Sequence, residues 1–294
     1  MHWGYVGIGL MGLPMTRRLI SQGHSVRVFD IEPSRMAQAR EAGALLAASP
    51  AGVCENAEAV LLNLPTDAAV EQAVFGPDGV ALALRSPQRL VDFSTISVDN
   101  GLRLAAQLRD RTGCPWIDAP VSGGPPASAA GSLTVMAGGR PDDIDALAAL
   151  WASIAGRFTR MGDAGAGLAA KMINQLIVGC GNAVLAEAHA LAAAAGIEAE
   201  RLPDCLAGGH ADSELLRQIY PRMAARDFAP RGYARQLLKD LEAVNAFAGS
   251  LKTPTPMLAQ AQTLFRWAIQ KGFAELDTSA IVRIYDNNSI QEET

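Results

Sequence analysis

The sequence predicts a two-part chain: an N-terminal α/β half with a mostly parallel, doubly wound sheet, then an all-α half, the two joined by one long helix. Three observations carry this reading. Short apolar runs alternate with helix-like stretches up to residue 162. Beyond it only helix-like patterns follow, punctuated by Gly196, Gly208-Gly209, Pro221, Pro254 and Pro256. Between them lies an Ala-rich stretch, 163–195, that reads as a single connecting helix. The expected domains are therefore 1–162 and 163–294.

The totals narrow the classes. A chain of 294 residues with 49% hydrophobic and 19% charged residues can bury a large core and is globular. A net charge of −5 argues against nucleic acid or an anionic membrane as the partner. The cysteines (Cys54, Cys114, Cys180, Cys205) and histidines (His2, His24, His189, His210) are scattered, so no disulfide framework or metal site is expected. The N-terminus has no basic segment followed by an apolar one, so a cytoplasmic location is expected. The apolar region 173–197 is interrupted by Asn174, Gln175, Asn182, Glu187 and His189 and reads as a buried or interfacial helix.

Taken in order, Tyr5-Val6 is a short strand running into Gly7-Ile8-Gly9-Leu10-Met11-Gly12, followed by a helix over 14–22 and a second strand over 25–29. Glycine at these three positions allows a tight turn, close approach of a pyrophosphate, and packing of helix on strand. The arrangement predicts dinucleotide binding on a Rossmann-type domain. Asp30 ends the second strand, 23 residues after Gly7, where a carboxylate bonds a ribose 2′-hydroxyl and repels a 2′-phosphate. That favours NAD over NADP, with Arg27 and Arg35 the nearest positive charges. A plain turn or cap role for Asp30 is the alternative.

A helix over 34–42 follows, then the apolar runs 59–64 and 90–93, as expected of parallel strands buried on both faces. Their carboxyl ends present Leu64, Pro65, Thr66 and Thr95, candidate cofactor contacts or ordinary turn residues. Next, Trp116-Ile117-Asp118-Ala119-Pro120-Val121 runs into Ser122-Gly123-Gly124, whose backbone N–H groups and hydroxyl suit a carboxylate. The stretch 125–131 reads as a loop, 133–137 as a strand, 142–154 as a helix and 157–161 as a last strand.

The long helix opens on Gly165 and Gly167 and carries Lys171, with Asn174 and Gln175 three and four residues on, on one face. A lysine beside two amides suits proton transfer at a substrate oxygen, with Asn174 and Gln175 as substrate contacts that hold the oxygen and the carboxylate. Only four of the 25 basic residues are lysines, and arginine cannot do this work because it does not deprotonate. A solvated surface lysine is the bland alternative. Helices are then expected over 200–206, 213–225, 233–249, 257–271 and 278–285, with a fraying end at Ser289–Thr294.

Together the motifs resemble the β-hydroxyacid dehydrogenase family, which includes 3-hydroxyisobutyrate dehydrogenases and tartronate semialdehyde reductases. The resemblance spans the chain through Gly7–Met15, Asp118–Gly124, Gly165–Asn174 and Lys239-Asp240-Leu241. It implies that Lys171 is the general acid/base and that Ser122, Gly123 and Gly124 hold the substrate carboxylate, with Asn174 helping. It places Lys239 near the nicotinamide and implies a homodimer or homotetramer built on the long helix. Gln175 stands where many members have a second asparagine, which leans the reading toward tartronate semialdehyde reductases.

The expected activity is hydride transfer between NAD(H) and a small 3-hydroxy acid, with no metal. Neutral Lys171 would take the hydroxyl proton in oxidation, and its ammonium form would protonate the carbonyl in reduction. Two alternatives remain: a decarboxylating phosphogluconate dehydrogenase, for which the helical half is short, and a non-catalytic nicotinamide-binding sensor or interaction protein, against which an intact Lys171 argues.

Overall fold

The computed structural model describes residues 1–286, so the expectation for Ser289–Thr294 lies outside the described residues. The chain forms two compact units, Met1–Lys171 and a second beginning at Met172.

The first unit opens with β1 (His2–Val6), α1 (Gly12–Ser21), β2 (Ser25–Phe29), α2 (Pro33–Glu41), β3 (Leu45–Leu46), β4 (Ala59–Leu62), α3 (Asp67–Phe75), β5 (Arg89–Asp92), α4 (Val98–Thr112) and β6 (Trp116–Asp118). It continues with β7 (Val121–Ser122), α5 (Gly124–Ala130), β8 (Leu133–Gly138), α6 (Pro141–Asp145), α7 (Ala148–Ile154) and β9 (Ala155–Gly162). The first six strands are parallel in the order β3-β2-β1-β4-β5-β6, the doubly wound nucleotide-binding order. Strand β8 runs antiparallel to β6 and β7 and parallel to β9, extending the sheet beyond β6.

Burial explains the apolar runs. Along β4, Leu61 joins the core on one face of the sheet, with Tyr5, Val28 and Val91, while Val60 and Leu62 join the other, with Val6 and Leu90. All four residues of β4 are buried, so no polar alternation is possible there. The order reverses between β1 and β4, and the carboxyl ends of these strands carry the glycine loop and Leu64-Pro65-Thr66.

Three expectations are corrected. The stretch 125–131 is not a loop: α5 occupies Gly124–Ala130 and ends on Gly131 at φ 70°. Pro125 and Pro126 stand at its first positions, where a missing N–H costs nothing, and alanines carry it on. The helix expected over 142–154 is two, because Leu147 leaves helical geometry (φ −106°, ψ 23°) with its side chain in the core. The segment Thr278–Tyr285 is a 3-10 helix, capped by the Asp277 side chain.

Helix α8 (Ala166–Ala194, 29 residues) runs through the boundary between the units. By length and hydropathy alone it would pass as a membrane span. In the second unit follow α9 (Leu202–Leu206), α10 (Glu214–Ala224), α11 (Ala234–Ser250) and α12 (Pro256–Gln270). A side chain on Gly179 would collide with Leu241, so α8 and α11 touch closely there. Gln262 Nε2 donates to the Leu241 carbonyl at 2.8 Å, tying α12 to α11. Buried Arg222 on α10 pairs with buried Asp277 at 2.7 Å. Asp277 also accepts from the backbone of Arg231, Gly232 and Ser279, so the pair has the hydrogen bonds a buried ion pair needs.

Candidate active site

The glycine loop lies between β1 and α1. Gly7 has φ 90°, and its N–H bonds the Phe29 carbonyl at 3.0 Å. A side chain on Gly12 would strike the Gly7 carbonyl, so helix and loop pack backbone to backbone. Gly9 differs: an added Cβ would meet nothing nearer than the Arg35 guanidinium at 3.8 Å. The space over Gly9 is therefore open, and no side chain caps α1. An open glycine backbone at an uncapped helix N-terminus fits a pyrophosphate.

Around the loop, Ile8 is fully buried, Leu10 is exposed, and the Met11 carbonyl accepts from the buried Ser128 hydroxyl at 3.0 Å. Asp30 does more than the sequence suggested. Its Oδ2 accepts from the Ile8 N–H at 2.8 Å and its Oδ1 from Glu32 N–H at 2.9 Å. Arg35 Nη1 stands 3.4 Å from Oδ1. The carboxylate thus braces the loop from β2, and Oδ2, with a single donor, retains a lone pair for a further one.

At the neighbouring strand ends Leu64 and Thr95 are half-buried. The Leu64 N–H donates to Ser94 Oγ at 2.9 Å, and the Ser94 N–H donates to Asp92 Oδ1 at 2.9 Å. Ser94 and Asp92 are both buried. Pro65 is exposed. Thr66 caps α3, accepting from Ala69 N–H at 3.1 Å, which is the plain turn-and-cap role.

Ser122 ends β7, paired with Thr134 of β8. Gly123 (φ 122°) and Gly124 (φ 66°) carry the chain into α5 through conformations that side chains disfavour. Immediately before them, the Val121 carbonyl accepts from Lys171 Nζ at 2.8 Å. Lys171 is only 7% exposed, so it is not a solvated surface lysine. The structure therefore brings Lys171 to the start of Ser122-Gly123-Gly124, two motifs 50 residues apart in sequence.

In the second unit, Asn174 Nδ2 donates to Gln175 Oε1 at 2.8 Å. Gln175 Nε2 donates to Asp240 Oδ2 at 2.6 Å, and Lys239 Nζ pairs with Asp240 Oδ1 at 2.9 Å. Asp240 therefore gathers Gln175 and Lys239, and the Gln175 amide is committed to protein partners.

Sequence reasoning gave no role to Asp92, Ser94, Asp118 or Asp240. Three of them are carboxylates, of the kind rarely buried without a partner, and two of these end apolar strands; that was the available signal.

The comparisons agree with this architecture. Residues 2–162 match the model of the NAD binding domain of 6-phosphogluconate dehydrogenase. Residues 165–285 match the model of the NAD-binding region of NADP-dependent 3-hydroxyisobutyrate dehydrogenase. The chain belongs to the β-hydroxyacid dehydrogenase family. It is 31% identical to the 2-hydroxy-3-oxopropionate reductase of Escherichia coli, over 96% of each chain. It is also 31% identical to the NAD-dependent L-serine dehydrogenase of Pseudomonas aeruginosa, over 96% of this chain and 97% of that one. A crystal structure of 3-hydroxyisobutyrate dehydrogenase from Salmonella typhimurium superposes with a TM-score of 0.89 at 32% identity, covering 97% of this chain and 99% of the other. The fold is thus an N-terminal Rossmann-type domain with a helical C-terminal domain joined by α8, as the sequence predicts.

Burial pushes the Asp92 carboxyl up to about 7 from its ordinary 3.8, against the lowering effect of Ser94, with Asp118 and Asp67 adding repulsion. A carboxyl that holds its proton more tightly when folded stabilises the fold below its unfolded value and loses that contribution as pH rises through about 7. Asp92→Asn cannot ionise. Its melting temperature relative to wild type should therefore rise between pH 6 and pH 8; a difference that stays constant over that range would contradict the account.

Proposed function

We propose that this protein oxidises the hydroxyl of a small 3-hydroxy acid, or reduces the matching carbonyl, with Lys171 as general acid/base. The observation that carries the reading is the buried Lys171 amine on the Val121 carbonyl at 2.8 Å, beside Ser122-Gly123-Gly124. A nicotinamide bound at the glycine loop would accept or donate the hydride. Gly7, Ile8, Gly9, Leu10, Met11 and Gly12 would hold its pyrophosphate, with Asp30 on the ribose and Leu64, Pro65, Thr66 and Thr95 along the strand ends.

Ser122, Gly123 and Gly124 would take the substrate carboxylate and place the hydroxyl at Lys171. The neutral amine would accept the hydroxyl proton; in the reverse direction the ammonium would protonate the carbonyl oxygen. Asn174 would help hold the substrate, and Gln175 would orient Asn174 through their bond. Lys239, paired with Asp240, would add positive charge near the nicotinamide. A sensor with no chemistry would have no use for a buried, bonded lysine, which favours the enzyme.

We take NAD as the cofactor. Asp30 would repel a 2′-phosphate, and Ile31, 89% exposed, offers no positive charge there. The nearest cation, Arg35, is already paired with Asp30. The test is reduction of NAD and of NADP across small 3-hydroxy acids, with matching 2-hydroxy acids as controls. Turnover confined to 3-hydroxy acids, with kcat/KM at least tenfold higher for NAD, is expected. Preference for 2-hydroxy acids would reject the substrate class, and equal efficiency with NADP would reject the role of Asp30.

A cytoplasmic homo-oligomer completes the reading. Ile173, Ile177, Val184 and Leu191 on α8 are each more than half exposed and lie four, seven and seven residues apart, one apolar stripe. A second copy of the chain would cover it, giving a dimer or tetramer. Sedimentation should show no monomer at micromolar concentration; a monomer throughout would reject this.

A further inference from the structure

Asp118 ends β6, is 3% exposed, and faces the start of the helix that carries Lys171. Its Oδ1 accepts from the Gly165 N–H at 2.8 Å and its Oδ2 from the Leu168 N–H at 2.9 Å. These are backbone donors that a helix N-terminus leaves without internal partners. The approach is close: a Cβ on Gly167 would lie 2.5 Å from the carbonyl oxygens of both Asp118 and Met136. The backbone of the first turn of α8 therefore rests directly on the end of β6 and on Met136 within β8. Three residues after Asp118, the Val121 carbonyl accepts from Lys171 Nζ. Residues 118–121 thus hold α8 twice, by a carboxylate on its backbone and by a carbonyl on its amine.

From this geometry we infer that Asp118 is a positioning residue for proton transfer, setting Lys171 against Ser122-Gly123-Gly124; the inference rests on the reading of Lys171 proposed above. Lysine has a long flexible stem, so a buried amine keeps one address only if its backbone origin is fixed. Asp118 fixes that origin, and Val121, adjoining Ser122, fixes the other end. In this arrangement each N–H donor takes its own carboxylate oxygen. Asparagine offers one oxygen and turns an NH2 group toward the second donor. A substitution that keeps the size of Asp118 therefore still breaks half of the grip. Displacement of a reacting group by about 1 Å can cost about a hundredfold in rate.

The experiment compares wild type, Asp118→Asn, Lys171→Ala and the double variant as full-length proteins. NADH is titrated by fluorescence to count binding sites, and kcat and KM are measured per site with the best 3-hydroxy acid. Asp118→Asn should bind NADH within about twofold of wild type and keep KM within severalfold, while kcat per site falls about tenfold or more. In the Lys171→Ala background the same change should lower the residual rate no further, because its effect runs through the lysine. Wild-type kcat per site in Asp118→Asn, with only a lower melting temperature, would overturn the inference and leave the reading of Lys171 standing. A further loss in the double variant equal to that in the single would also overturn it. Near wild-type turnover in Lys171→Ala would overturn that reading and this inference together. If Asp118→Asn does not fold, Asp118→Ser, a short cap with one oxygen, replaces it with the same expectations.

Discussion

The seating of α8 on the end of β6 is the contact on which the rest of the site depends. A 29-residue helix begins where a parallel strand stops, and its first N–H groups need an acceptor in a place that water does not reach. Asp118 supplies two oxygens. Burying the carboxylate costs several kcal/mol, and two charge-assisted bonds at about 1.5–3 kcal/mol each offset much of that. Burial raises the proton affinity of Asp118, while the N–H donors of Gly165 and Leu168 act in the opposite direction. Once the helix start is fixed, Lys171 can only project along the strand end, where the Val121 carbonyl meets it.

The glycine loop follows the same logic with different chemistry. There the acceptor side is Asp30, whose carboxylate holds the Ile8 N–H and ties the loop to the end of β2. The open backbone at Gly9 remains for a ligand. The Asp92–Ser94–Leu64 chain does similar work one strand further along. Three carboxylates at strand ends thus shape the carboxyl edge of the sheet, each by accepting from backbone N–H groups of the loop or helix beside it. That edge is where a doubly wound sheet binds ligands, because the order of strands reverses there.

Much of this was legible in the sequence because glycine and apolar patterning report backbone requirements directly. The loop at Gly7, the strand over 25–29, the strand within the apolar run 59–64, the long helix and the position of Lys171 on it all follow from such patterns. The misreadings have local causes. Pro125-Pro126 looks like a loop but opens α5, since proline is harmless in a first helical turn. Leu147 interrupts a helix that its sequence would continue. The partner of the Lys171 amine could not be read, because Val121 lies 50 residues away. The same holds for Gln175 and Asp240, whose bond joins positions 65 residues apart. Residue type announced each group; only the fold announced its partner.

The claim that matters most is that the Lys171 amine carries the proton. The most direct measurement is turnover of Lys171→Ala with NADH affinity followed in parallel, without and with added small primary amines such as methylamine. The account predicts unchanged NADH binding, loss of turnover by about a hundredfold or more, and partial recovery in proportion to amine concentration. Lys171→Ala turning over within severalfold of wild type without any added amine would contradict it.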